Sequence, residues 1–121
     1  MAEVALKRGA SEVYRPTEAL RRAVLAIGNN VVADLLGVNK SQPGRWLRGQ
    51  ERMSAVNAAA VVELDAFLGR VLQAFTPEQA VLWLTGSDPV LAGARPVDAF
   101  KVRGLAAVLP AIHAHEQGAF A

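Results

Sequence analysis

Apolar residues recur at intervals of three and four along most of the chain, the spacing that gathers side chains on one face of an α-helix. Leu20, Val24 and Ile27 make the first such stripe, in a segment opened by Pro16-Thr17 and closed by Gly28-Asn29-Asn30. Arg21 and Arg22 fall off it. The longest stripe runs through Val61, Leu64, Leu68, Val71 and Phe75 behind Ser54, a good N-cap residue. Val62, Phe67 and Leu72 widen it. So broad an apolar face suits either the central helix of the domain or a dimer seam. The central role has the stronger claim, because a small chain must cover its own core first. Thr76-Pro77-Glu78 then starts a short helix that holds Ala80 to Leu84, and Thr85-Gly86-Ser87-Asp88-Pro89 breaks it. Val90-Leu91 and Ala92-Gly93 make a compact turn. Arg95-Pro96 opens a helix through Arg103, Gly104 interrupts, and a last helix runs from about Leu105 to Glu116. Pro110 is expected to kink or split that last helix. Strand-like alternation is absent. The pattern predicts an all-α fold, a compact helical domain of about seven helices.

Between the first stripe and the long one lies VVADLLGVNKSQPGRWLRGQ, residues 31–50, which reads as a helix-turn-helix. Ala33 is small where two helices must approach closely. Leu35 and Leu36 anchor the first helix, and Gly37 ends it in a conformation that favours glycine. Val38 packs inward, Ser41 is the expected N-cap of the second helix, and Trp46 and Leu47 tie that helix to the core. Pro43 stands where the first turn usually has an apolar residue. Gly44 comes next and costs about 1 kcal/mol relative to Ala in a helix. Lys40, Gln42, Arg45 and Arg48 are left as long polar side chains suited to phosphates and purine edges, and they are the candidate DNA contacts.

Composition sharpens this division. The net charge is only +2. Yet residues 1–52 hold nine Lys/Arg against five Asp/Glu, while residues 53–121 hold four against six. A basic front and a mildly acidic back suggest two different partners. The expected organisation is a mobile arm over 1–15, the helix-turn-helix over 16–53, and the long helix with the C-terminal helices over 54–121. Cysteine is absent, which removes disulfides and thiolate chemistry and fits a reducing cytoplasm. No apolar run approaches the length of a membrane span. Val4 to Leu6 is too short for a signal-peptide core, and Lys7-Arg8 comes directly after it.

Catalytic constellations do not assemble. Neither a phosphate-cradling glycine loop nor a nucleophile elbow occurs, and Ser11, Ser41, Ser54 and Ser87 fit caps or turns. His113 and His115 lie two apart on a helix and point to different faces, so they do not share a metal. Asp88 and Asp98 stand at a turn and a helix start, where Asp is a common cap. The expectation is a protein that is not an enzyme and uses no cofactor.

The run VLWLTGSDPVLAGARPVDAF, residues 81–100, resembles the toxin-binding region of the Xre/MbcA/ParS family of antitoxins. The matching positions are Trp83-Leu84, Asp88-Pro89, Leu91, Gly93 and Pro96, with Val97 and Phe100 behind them. The family more often has Asn where Asp88 stands. The order of parts is also similar, over roughly residues 17–121. Each motif residue has a structural use as well: Trp83 packs the short helix, Pro89 and Gly93 shape a tight loop, and Pro96 pre-sets a helix start. The resemblance implies an antitoxin of a type II pair. Such a protein binds and neutralises an NAD-consuming RES-domain toxin and represses its own operon through the helix-turn-helix, as a homo-oligomer or a toxin–antitoxin hetero-oligomer. It also implies that the tail Gly118, Ala119, Phe120 and Ala121 obstructs the toxin's active-site entrance; frayed-end residues or a core-packing Phe120 are the plainer alternative. From another class, a stand-alone helix-turn-helix regulator whose C-terminal half only dimerises fits the same residues.

Overall fold

A computed structural model of the protein describes residues 15–118. Seven α-helices succeed one another among them: α1 Pro16–Ile27, α2 Asn29–Leu36, α3 Gln42–Leu47, α4 Ala55–Ala74, α5 Pro77–Thr85, α6 Pro96–Arg103 and α7 Leu105–Gly118. A 3-10 turn, Pro89–Leu91, joins α5 to α6. The described residues contain no strand. The all-α expectation is met. Residues 1–14, nearly all of the expected arm, lie outside the described residues.

Local chemistry sets the boundaries. Pro16 starts α1 at a position whose amide has no intrahelical partner. Ser54 Oγ accepts from the Asn57 amide at 3.1 Å and caps α4. Thr76 and Gln79 form a reciprocal capping box at the start of α5, with bonds of 2.9 and 3.2 Å. Gly37 ends α2 at φ +69°; the Val38 amide returns to the Ala33 carbonyl and the Gly37 amide to that of Asp34, a Schellman closure. Gly49 (φ +73°) repeats the device behind α3. The start of α7 draws on another helix, since Glu63 of α4 accepts from the Leu105 amide at 3.4 Å.

The interior is one apolar cluster to which every helix contributes. Leu20 and Ile27 of α1 and Val32 and Leu35 of α2 pack with Val61, Leu64, Phe67, Leu68 and Val71 of α4, and Trp46 of α3 joins the cluster from the side of α1 and α2. Leu84, Val97, Phe100, Val108 and Ile112 complete it from the C-terminal side. The rings of Phe67 and Phe100 stack at its centre, 4.4 Å apart. The inner stripe of α4 is therefore core, as its width suggested. Val62 and Leu72, read as widening the stripe, remain partly exposed.

Two local expectations change. α7 is not split at Pro110 but continues through it, and it runs two residues beyond Glu116. Ser41 precedes α3 but does not cap it: its backbone is already helical, and its hydroxyl bonds to Asn39 Oδ1 at 2.8 Å. Pro43, in contrast, is fully buried and fills the apolar place in the first turn of α3.

Candidate functional site

Two places carry polar chemistry that the core does not need. The first is the outer side of α3. Arg45 donates from Nη1 to Ser41 Oγ (2.7 Å), from Nη2 to Gln42 Oε1 (2.7 Å) and from Nε to Glu51 Oε1 (3.3 Å). Gln42 Nε2 donates to the other Glu51 oxygen at 2.7 Å. Gln42 and Arg45, two of the four candidate DNA contacts, thus belong to one ring of hydrogen bonds. Arg48 lies just past the helix and is exposed, with its guanidinium folded back over Gly44. A Cβ on residue 44 would stand 2.9 Å from Arg48 Nη1, so the missing side chain makes room for the arginine. Lys40 is exposed in the turn before α3, and its carbonyl accepts from Asn29 Nδ2 at 2.8 Å. The four residues therefore share one end of the hairpin. Sequence reading missed Glu51, which no helical period connects to α3; the chain reversal at Gly49 brings it there.

The second place is the turn after α5. Asp88 is 2% exposed, and its carboxylate gathers three donors or potential donors. Trp83 Nε1 reaches Oδ2 at 2.7 Å, the Val90 amide reaches Oδ1 at 2.8 Å, and His115 Nε2 lies 3.2 Å from Oδ2. Burial pushes the Asp88 carboxyl pKa up, but the bonds from Trp83, Val90 and His115 outweigh it and hold the group below its ordinary value. Phe75 stacks on Trp83 at 4.9 Å, and His115 meets both rings edge-on at 5.1 and 5.8 Å. The loop is closed by further bonds: Ser87 Oγ to the Gly93 carbonyl (2.8 Å), the Gly93 amide to the Asp88 carbonyl (2.9 Å) and the Asp88 amide to Ala94 (3.1 Å). Gly93 has φ +86°, and Ala92 before it takes φ +58°, a left-handed conformation uncommon for a residue with a Cβ.

The motif residues Trp83, Leu84, Asp88, Pro89, Leu91, Gly93 and Pro96 all lie in or beside this loop; Leu84 and Pro96 are fully buried. Asp88 does cap the turn, and it also joins α5 to α7. His115, exposed at the surface, is the far end of that link. The one hint in the sequence is the exchange of Asn for Asp at position 88. His113 points to solvent, away from this cluster.

Around the cluster the surface is concave and apolar. A groove of about 530 Å³ is lined by Ala74, Phe75, Gln79, Leu82, Trp83 and His115, with Leu82 exposed beside it. A smaller one of about 370 Å³ is lined by Asp88, Pro89, Val90, Ala114, His115 and Gly118. Gly118, the first residue of the candidate toxin-contacting tail, ends α7 there. Ala119, Phe120 and Ala121 lie outside the described residues. Among the described residues no group of three or more His, Asp or Glu could hold a metal ion, and no helix is long and apolar enough to cross a membrane.

No protein-family model and no curated protein matches the chain. Among solved structures, it is similar to a chain described as the crystal structure of the M. tuberculosis MbcT–MbcA toxin–antitoxin complex. The TM-score is 0.70 and the identity 21%, over 87% of this chain and 96% of that one. The likeness establishes that this chain has the fold of that one.

Proposed function

We propose that the chain is the antitoxin of a type II toxin–antitoxin pair. It binds and neutralises an NAD-consuming RES-domain toxin with its C-terminal half and binds operator DNA with the α2–α3 hairpin. It performs no catalysis itself and works in the cytoplasm. The observation that supports this reading is the fold shared with a chain of a toxin–antitoxin complex over nearly the whole of that chain. The resemblance at residues 81–100 is independent support, and these residues build the loop that faces the apolar grooves. α7 delivers Gly118 to the edge of one groove, beside an apolar surface suited to a protein partner.

In this reading the helices around Trp83 and His115 supply docking area, and Gly118, Ala119, Phe120 and Ala121 close the toxin's substrate entrance. Phe120 is the anchor, as aromatic residues often are at interfaces. The test is NAD consumption by the product of the adjacent reading frame, with this chain added. Full-length protein abolishes consumption. A chain lacking the last four residues still binds the toxin but neutralises it poorly. Complete inhibition by the truncated chain moves the block to the surface of α6 and α7. If the neighbouring product is harmless alone, the chain is a stand-alone regulator instead.

On DNA the protein acts as a dimer or larger assembly, because one short hairpin covers too little DNA for tight specific binding. Lys40, Gln42, Arg45 and Arg48 make the contacts. Arg45→Ala with Arg48→Ala removes salt-sensitive binding to the chain's own promoter and leaves toxin neutralisation intact. A monomer by sedimentation, with and without toxin, rules out the assembly.

A further inference from the structure

The ring on α3 has a feature that the DNA reading alone does not require. A guanidinium carries five N–H donors. The ring engages Arg45 once at Nε, once at Nη1 and once at Nη2. One hydrogen on each Nη nitrogen is left over, enough for two further acceptors. Gln42 likewise spends one amide hydrogen on Glu51 and keeps the other. Glu51 is the residue that both side chains share, and the Gly49 reversal fixes its approach. Its charge also lies where DNA phosphates would approach, so it opposes binding that depends on phosphate alone.

Resting on the DNA reading above, we propose that Glu51 is a specificity-determining positioning residue. It holds Arg45 and Gln42 with their remaining donors arranged for a base edge and prevents Arg45 from swinging to the nearest phosphate. Guanine, with O6 and N7 as two major-groove acceptors, is the base chemistry that can use both spare Arg45 donors. The carboxylate thus exchanges some total affinity for discrimination between sequences.

Glu51→Gln removes the charge with little change in shape, and Glu51→Ala removes the ring. Binding is measured by fluorescence anisotropy, across a salt series, to a duplex from the chain's own promoter and to a scrambled duplex of equal length. With Glu51→Gln, the scrambled duplex binds several-fold tighter. The promoter-to-scrambled ratio falls, and the slope of log K against log salt steepens by about one for each protomer on the duplex, the value for one added phosphate contact apiece. Glu51→Ala changes all three in the same direction. The tighter scrambled binding and the steeper slope disappear in an Arg45→Ala background, because the added phosphate contact is Arg45's own. Unchanged ratio and slope in both variants overturn the proposal while wild-type binding leaves the DNA reading standing. An equal gain in the Arg45→Ala background also overturns it, since Glu51 then acts as bulk charge. If the wild-type protein binds neither duplex at low salt, alone or with toxin, the DNA reading fails and takes this proposal with it.

Discussion

The two tryptophans are held in opposite ways. Trp46 in the helix-turn-helix and Trp83 beside the C-terminal loop are both buried, at 3% and 8% exposure. Trp83 gives its indole N–H to Asp88, stacks on Phe75 and touches His115. Trp46 Nε1 meets no acceptor among the described residues. A buried donor without a partner forfeits the hydrogen bond it had with water. α3 is therefore held to the core by shape and apolar area, through Trp46 and Pro43. The C-terminal loop is held by a polar hub that fixes direction as well as position. An element fixed by area alone tolerates a change of ring; an element fixed by a charged hub does not.

The largest effect expected from this contrast is at the hub. Asp88→Ala leaves the indole N–H of Trp83 and the Val90 amide without their acceptor and should cost about 3 kcal/mol in denaturant unfolding. A loss under about 1 kcal/mol would show that the hub is decorative. Next come the matched ring exchanges. Trp83→Phe removes the donor from a buried carboxylate and should cost about 2 kcal/mol. Trp46→Phe removes an unpartnered donor along with some packing area, and these oppose each other, leaving a net change within about 1 kcal/mol. Equal losses at the two sites would break the comparison.

Acid gives a third test. The folded-state pKa of Asp88 is depressed, so its contribution is fully present above the ordinary carboxylate value of 3.8 and is lost as pH falls through the lower folded value. Melting temperature measured from about pH 5 to about pH 2 should fall less steeply in Asp88→Asn than in the wild type. Parallel curves would remove Asp88 from the acid response. The smallest effect concerns the loop backbone. Ala92→Gly relieves the left-handed strain at φ +58° and should stabilise by up to about 1 kcal/mol, visible as a higher denaturant midpoint.

What the sequence made legible was local. Pro16, Ser54, Thr76 and Pro96 each start a helix through their own backbone or side chain, and each start was readable from neighbouring residues. The core stripe of α4 was readable for the same reason, since its period is a property of one helix. Contacts set by tertiary approach were not legible. His115 lies 27 residues from Asp88, and nothing in α7 alone separates it from His113. Glu51 belongs to no helical stripe, and only the Gly49 turn lays it against α3. Gly44 looked like a flaw in a short helix, whereas its open side carries the Arg48 guanidinium. Ser41 stood in the right place for a cap, but its backbone is already helical and its hydroxyl oxygen accepts from Arg45 Nη1 rather than from a backbone amide.

The single apolar cluster that runs from Leu20 to Ile112 has a consequence for how long the protein lasts. Trp46 of α3 and Trp83 beside the Asp88 loop belong to that one cluster, in which Phe67 and Phe100 stack. A protease that waits for the core to open gains both faces in one event, because no separate core exists to keep either half folded. In the proposed role, turnover would lift repression and release the toxin together, with one half-life governing both.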